Sequence, residues 1–307
     1  MLFFSKNMYY NYFFFKISTL DLFLFFLCIA ICCKSAQLGL HFWLPDSMEA
    51  PAPASALIHS ATLVSAGVFL ILKFLPLFKF SYFFSQSLMC IGTLTCLFGS
   101  LVSCIQTDIK RLLAYSTIGN CGLLIYSSIM LNSEITILFF KLHGFFKSLS
   151  FLFIGYLILK YQHLQDLRYI GNILLYEKIF LFLLLTSLSF LSAWFFSYSS
   201  LVKHIIMSPT NSQNYFFLIN SILFCCTIIA VFYSLRLMVN IFNYNKLIKY
   251  INRSNWNINF IIATFFLFIL FYISFSTLSI IKLQFSVDNA YIFFKYLLLI
   301  VFISKLQ

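Results

Sequence analysis

The sequence predicts an all-α polytopic membrane protein, and two observations carry that prediction: the composition and the length of the apolar runs. The chain is 62% hydrophobic and only 9% charged, with a mean hydropathy of +0.97, whereas soluble domains are closer to half apolar. A helix needs about 20 apolar residues to cross a bilayer, and many runs of that length are present. We therefore expect a bundle of membrane-spanning helices.

About nine spans are expected from runs of that length. The first run is long for one span and contains Lys34, Gly39 and Pro45, which predicts a helix broken in mid-membrane at Lys34. A break of this kind is tolerated only where the freed backbone groups face protein or water. The second run opens with Pro51 and Pro53, which suit the first turn of a helix. The nine runs are 18–45, 51–76, 87–107, 112–131, 134–160, 174–197, 214–242, 257–282 and 288–306.

Charge and cysteine patterns exclude several other classes of protein. The net charge is +12, but the basic residues are scattered singly and form no cluster of the kind that binds nucleic acid. The nine cysteines fall mostly inside apolar runs without paired C-x-x-C motifs, so neither a metal site nor a disulfide framework is indicated. No dinucleotide fingerprint or cluster-ligating cysteine spacing occurs, so we expect no cofactor in this chain. A cleavable signal peptide is also not evident.

Ionisable side chains inside the predicted spans are the main functional signal. A lysine at the bilayer centre costs about 2.5–3.5 kcal/mol on insertion scales, so each one needs a partner, a water-filled cavity or a different depth. His143 and Lys147 lie four residues apart and share one helix face. A histidine exchanges protons near neutral pH, and an ammonium group removed from water loses part of what stabilises its charge. We therefore predict a short proton relay, with Lys34 and His59 as a second pair.

Other interpretations of these residues stay open. A lysine near a helix end often extends its ammonium group to the membrane interface, although apolar residues flank Lys34 and Lys147 on both sides. A lone helical histidine such as His59 is as often a packed structural residue as a proton carrier.

Several motifs resemble the antiporter-like membrane-arm subunits of NADH:ubiquinone oxidoreductase, respiratory complex I. They are "KSAQLGLHFWLPDSMEAPAPASALIHSATLVSAGVFLILKF", "QTDIKRLLAYSTIGNCGLLI", "HGFFKSLSFLFIGYLI", "DLRYIGNI" and "FYSLRLM". The likeness covers most of residues 30–240 in the expected order, and "ALIHSAT" is the form found in subunit 5. The same motifs are shared with the large subunits of multisubunit Na⁺/H⁺ antiporters.

The resemblance implies a fold of two inverted helical repeats, each with one broken helix, and proton transfer along lysines joined by water. Lys34 matches the lysine of the first broken helix, and His59 matches the histidine of the helix that follows. Lys147 matches the central lysine of the second repeat, and His143 matches the histidine before it. The implied domains are 1–76 (the end of the first repeat), 77–242 (the second repeat) and 243–307 (C-terminal helices).

The sequence also departs from the family pattern. Phe139 stands where the family has a second histidine, one turn before His143. Tyr198 and Ser199 stand where the second broken helix has a lysine and an aspartate. A tyrosine hydroxyl is a poor substitute for a shuttling lysine because its ordinary pKa is about 10. Lys203, which lies nearby, is a possible substitute.

The function implied by the resemblance is that of a proton-translocating subunit in the mitochondrial inner membrane, coupling NADH:ubiquinone electron transfer to proton pumping. No redox site is expected in this chain itself. The likeness is to the C-terminal half of the family pattern, so we expect a separate chain to carry the N-terminal half. Other membrane-arm subunits of complex I and lipids are the further expected partners, with no nucleic acid. Two alternatives remain: a Na⁺/H⁺ antiporter subunit, and a structural membrane-arm subunit with a degenerate second half-channel.

Overall fold

The computed structural model describes residues 9–12, 15–130, 133–161, 163–170, 178–192, 198–207 and 214–242. Nearly all of this is helix, which confirms the predicted helical membrane bundle. One short hairpin was not anticipated: β1 (Tyr9–Tyr12) pairs antiparallel with β2 (Phe15–Ser18) just before the first helix. The predicted runs 257–282 and 288–306, and with them the C-terminal region 243–307, lie outside the described residues.

Most of the predicted hydrophobic runs coincide with helices. Among the described helices, five segments are long and apolar enough to cross a membrane, so the expectation of about nine spans is not confirmed. They are Leu63–Phe80, Tyr82–Ile105, Ile109–Met130, Ser133–Lys160 and Ile219–Ile241. The helical elements are α1 (Thr19–Lys34), α2 (Trp43–Asp46), a 3₁₀ turn (Ser47–Glu49), α3 (Ala52–Leu57), a π-helical turn (Ile58–Thr62), α4 (Leu63–Phe80), α5 (Tyr82–Ile105), α6 (Ile109–Met130), α7 (Ser133–Lys160), α8 (Lys178–Ser192), α9 (Tyr198–Met207) and α10 (Asn214–Phe242).

The first predicted break is present at the expected position. Helix α1 ends at Lys34, and the chain then passes through Ala36 and Gly39, whose φ angles are +50° and +92°. The carbonyl groups freed at the end of α1 are satisfied inside the protein, as the non-helical backbone of a membrane protein requires. The carbonyl oxygen of Ile31 accepts hydrogen bonds from the amide and the hydroxyl of Ser35. The carbonyl of Cys32 accepts from the amide of Gln37, and that of Cys33 accepts from the indole Nε1 of Trp43. The donor–acceptor distances are 2.6–3.1 Å.

The second predicted run, 51–76, is divided by the π-helical turn. Before and within this turn the chain packs against α7, whereas α4 after it packs against α1 and α6. Turns of this kind insert one extra residue into a helix and occur frequently at functional sites. The turn contains His59, one of the predicted site residues.

Helices α5 and α6 form the tightest packing in the described bundle. Their backbones touch at glycines: a Cβ atom added to Gly122 would lie 2.5 Å from the carbonyl oxygen of Gly92. Small residues allow this close approach, which drives much of helix association in membranes. As a result α6 is buried along most of its length, and its polar side chains face other helices.

Candidate functional site

Lys147 is the centre of the candidate site. Its side chain has no exposed surface, and its ammonium group donates to the carbonyl oxygen of Leu113 at 3.1 Å and to Oγ of Ser116. Both acceptors belong to α6, which packs directly against α7. A lysine whose ammonium group reached the membrane interface would not be enclosed in this way. Burial therefore excludes the interfacial explanation for Lys147.

His143 lies one helical turn before Lys147 on the same buried face of α7. Only 5% of its surface is exposed, so the predicted pairing of the two side chains on one helix face is present. The ring of Phe146 stacks on that of Phe190 of α8, with the centroids 4.0 Å apart. This apolar wall shields the face of α7 that carries His143.

Two small cavities lined by both polar and apolar side chains lie beside these residues. The larger has about 20 Å³ of space for water centres and is bordered by Ser116, Asn120 and Lys203 together with residues of α5 and α10. The smaller has about 10 Å³ and is bordered by Asn120, His143 and Lys203. A buried water needs roughly 10–15 Å³ and two to four polar partners, so the cavities are suited to single waters. Asn120 and Lys203 belong to both.

Helix α9 supplies another buried lysine to the site. Lys203 is 2% exposed, and its Nζ donates to the carbonyl oxygen of Leu191 at 2.7 Å. Ser199, at the position where the family has an aspartate, is buried and donates to the carbonyl oxygen of Phe190. Tyr198 begins α9, but its side chain lies outside the part of the chain that the structure describes. Of the described α9 side chains, Lys203 borders both cavities and Ser199 borders the smaller one.

The predicted pairing of Lys34 with His59 is not formed. His59 is fully buried, with its Nε2 3.2 Å from Oγ of Ser47 and its ring 5.8 Å from that of Phe151. Lys34, by contrast, is exposed. The π-helical turn directs His59 towards α7, where its charge interacts with that of Lys147. His59 therefore belongs to the site around Lys147.

Ser116 and Asn120 are site residues that the sequence reasoning missed. They are four residues apart and so share one face of α6. That spacing within the apolar α6 run was the signal that could have found them. Phe139, which replaces a family histidine, lines the smaller cavity and is 3% exposed. Within the described ranges, no three His, Cys, Asp or Glu side chains are grouped as metal ligands would be.

A comparison with protein families identifies the group to which this arrangement belongs. The profile of the NADH:quinone oxidoreductase/Mrp antiporter transmembrane family matches residues 4–223, which is most of the chain. The chain belongs to this family. It is accordingly a multi-pass membrane protein, and the resemblance seen in the motifs is confirmed.

Individual relatives agree with the family assignment. The chain is 45% identical over 226 residues to NADH-ubiquinone oxidoreductase chain 5 of Paramecium tetraurelia, covering 73% of this chain and 39% of the relative. It is 44% identical over 168 residues to chain 5 of Chondrus crispus, covering 55% and 25%. The chain thus spans about two fifths of the first relative's length.

A solved structure shares the fold. The Mrp complex from Dietzia sp. DQ12-45-1b superposes with a TM-score of 0.63 at 22% identity, over 70% of this chain and 24% of that one. At this identity the match shows the antiporter-like architecture alone.

Proposed function

We propose that this chain is part of a proton-translocating membrane-arm subunit of respiratory complex I in the mitochondrial inner membrane, coupling NADH:ubiquinone electron transfer to proton pumping. The relatives named NADH-ubiquinone oxidoreductase chain 5 support this proposal. The observation that carries it is the burial of Lys147 inside a membrane-spanning helix, with uncharged described acceptors and two small cavities nearby that polar side chains partly line. A charge at this depth is costly and typically marks an ion or proton pathway.

The proposed path runs through Lys147 and three of the titratable groups whose charges interact with its own, namely His59, His143 and Lys203. A proton on one of these groups disfavours a proton on the next, because like charges repel strongly where water is excluded. Loading one end of the row would therefore release a proton at the other end. In this path Lys203 has the proton-transfer role of the family lysine whose position is occupied here by Tyr198. Lys34 would serve the adjoining first-repeat site.

The test is the substitution Lys147→Ala in the intact complex reconstituted into liposomes. We expect proton pumping and coupled NADH:ubiquinone turnover to fall several-fold, because the ammonium group that carries the proton is gone. Oxidation of NADH by an artificial acceptor should be unchanged, since that reaction does not use this chain. Lys141→Ala is the matched control, because Lys141 lies on the same helix but is exposed.

The two alternatives give different results in the same preparation. A Na⁺/H⁺ antiporter subunit would exchange protons for sodium without NADH and would not co-purify with NADH-oxidising subunits. A structural membrane-arm subunit would keep its full ratio of protons pumped per electron when Lys147 is replaced. Either result would refute the proposed function.

We also propose a protein partner for the face of α1 that ends in Lys34. This face exposes large apolar side chains, which lipid could cover, but it also exposes the ammonium group of Lys34, which lipid does not stabilise. The occupant we propose is the N-terminal half of the subunit, carried on a separate polypeptide that supplies a polar partner for Lys34. Mass spectrometry of the purified complex tests this: absence of any polypeptide with those helices would rule it out.

A further inference from the structure

Three buried polar nitrogens in the site have no hydrogen-bond partner among the described residues, and one of them is Nδ1 of His59. The other two are Nδ2 of Asn120 on α6 and Nε2 of His143 on α7, whose residues are 8% and 5% exposed. Buried polar atoms in native proteins are nearly always paired, with protein or with ordered water. Asn120 and His143 both border the smaller cavity.

The size and lining of that cavity fit one water molecule. Its space for water centres is about 10 Å³, close to the roughly 10–15 Å³ that a single buried water needs. Its other polar lining residues besides Asn120 and His143 are Ser199 and Lys203, and the stacked rings of Phe146 and Phe190 form part of its apolar wall.

The spacing of residues on α6 and α7 points to the same place. On α7, His143 and Lys147 are four residues apart, and on α6 Ser116 and Asn120 are four residues apart. Ser116 accepts a hydrogen bond from Lys147, and Asn120 borders the same cavity as His143. Helix α6 thus presents one polar side chain to each of the two titratable residues of α7, directly in one case and across a cavity in the other.

We propose that Asn120 is a positioning residue that holds a single water between its amide and His143, and that this water connects His143 with Lys203. The inference rests on the proposed proton-translocating function. The amide N–H of Asn120 donates to the water oxygen, which leaves a water hydrogen to donate to Nε2 of His143. In one transfer the ammonium group of Lys203 gives a proton to the water while the water gives one to Nε2. The water is regenerated, Lys203 becomes neutral and His143 becomes positively charged.

The experiment replaces Asn120 in the intact complex reconstituted into liposomes. Asn120→Leu keeps a similar volume but removes the donor, and we expect the number of protons pumped per NADH to fall several-fold with artificial-acceptor oxidation unchanged. Asn120→Ser, whose hydroxyl can donate to a water in a slightly larger cavity, should recover a large part of the pumping. If Asn120 only filled space, the leucine variant would pump more protons per NADH than the serine variant.

Asn220→Leu is the matched control for removing a buried asparagine. Asn220 is on α10, is 9% exposed and accepts a hydrogen bond from the hydroxyl of Tyr126 at 2.9 Å. It borders neither of the two cavities. We expect its substitution to affect stability and to leave the ratio of protons to electrons unchanged.

The possible results separate this inference from the proposed function. Normal pumping by Asn120→Leu, together with loss of pumping by Lys147→Ala, would overturn the role of Asn120 and leave the proposed function standing. Normal pumping by both variants would overturn the proposed function itself. If Asn120→Leu does not assemble, a high-resolution structure of the unsubstituted complex decides: water density between the two nitrogens supports the inference, and its absence overturns it.

Discussion

Substituting Gly122 by alanine should separate α5 from α6. The added Cβ would lie 2.5 Å from the carbonyl oxygen of Gly92 and 2.7 Å from the amide nitrogen of Cys96, and closer still to the hydroxyl of Thr95. Ordinary contacts of a Cβ atom begin near 3.4 Å, so the two helices must move apart by roughly 0.9 Å. Backbone atoms cannot rotate away as a side chain does, so the whole shift falls on the helix pair.

The change in stability on this substitution has two opposing contributions, overpacking and helix propensity. Overpacking a close-packed interior costs about 1–3 kcal/mol, and contact with backbone favours the upper end. Alanine regains about 1 kcal/mol over glycine from its higher helix propensity. We therefore expect Gly122→Ala to destabilise the helix pair by about 2 kcal/mol, the difference between these terms.

Gly119→Ala is the internal control for this substitution. Its Cβ would lie 3.4 Å from the nearest atoms of α5, which is ordinary contact, so it should be neutral or slightly stabilising. The assay is thermal inactivation of the detergent-solubilised complex, with native gel electrophoresis to measure assembly. Equal stability of the two alanine variants would refute the argument that α5 and α6 are in backbone contact at Gly122.

Two further substitutions test anchoring and charge. The buried ammonium group of Lys110 donates to the carbonyl oxygens of Met48 and Ala50 at 3.4 and 3.1 Å. Lys110→Met should therefore destabilise the complex by about 1.5–3 kcal/mol, the usual value for a hydrogen bond to a charged group. In the same thermal assay, Arg111→Met at an exposed neighbour should reduce stability little. On the proposed function, Lys203→Met should lower proton pumping several-fold in liposomes, because it removes a buried ammonium group that borders both cavities. Lys73→Met, at an exposed lysine of α4, should not. Equal pumping by both variants would exclude Lys203 from the proposed path.

The sequence predicted the helical bundle, the end of α1 at Lys34 and the shared face of His143 and Lys147, because each of these depends on local pattern. Hydrophobic runs, helix-breaking residues and the spacing of four residues can all be read without knowing which helices are neighbours. Burial was not predictable in this way, because apolar residues flank both Lys34 and Lys147 but only Lys147 is buried.

Contacts between distant segments were not predictable in the same way. The π-helical turn directs His59 to α7 and away from Lys34, and a one-residue insertion in a helix has no sequence signature of its own. The positions of Asn120 and Lys203 in the cavities depend on how α6, α7 and α9 pack together. Single-sequence patterns contain no information about that packing, so Lys203 could be proposed only as a possible substitute.

The π-helical turn at Ile58–Thr62 has a consequence for how substitutions spread through the chain. An extra residue rotates everything after it by about 100° around the helix axis, and here it lets α3 contact α7 while α4 contacts α1 and α6. Deleting any one residue of this turn would restore an ordinary α-helix and swing one of the two halves towards lipid. Deletion of one residue there would thus disrupt the helix packing more than many substitutions along the same helix.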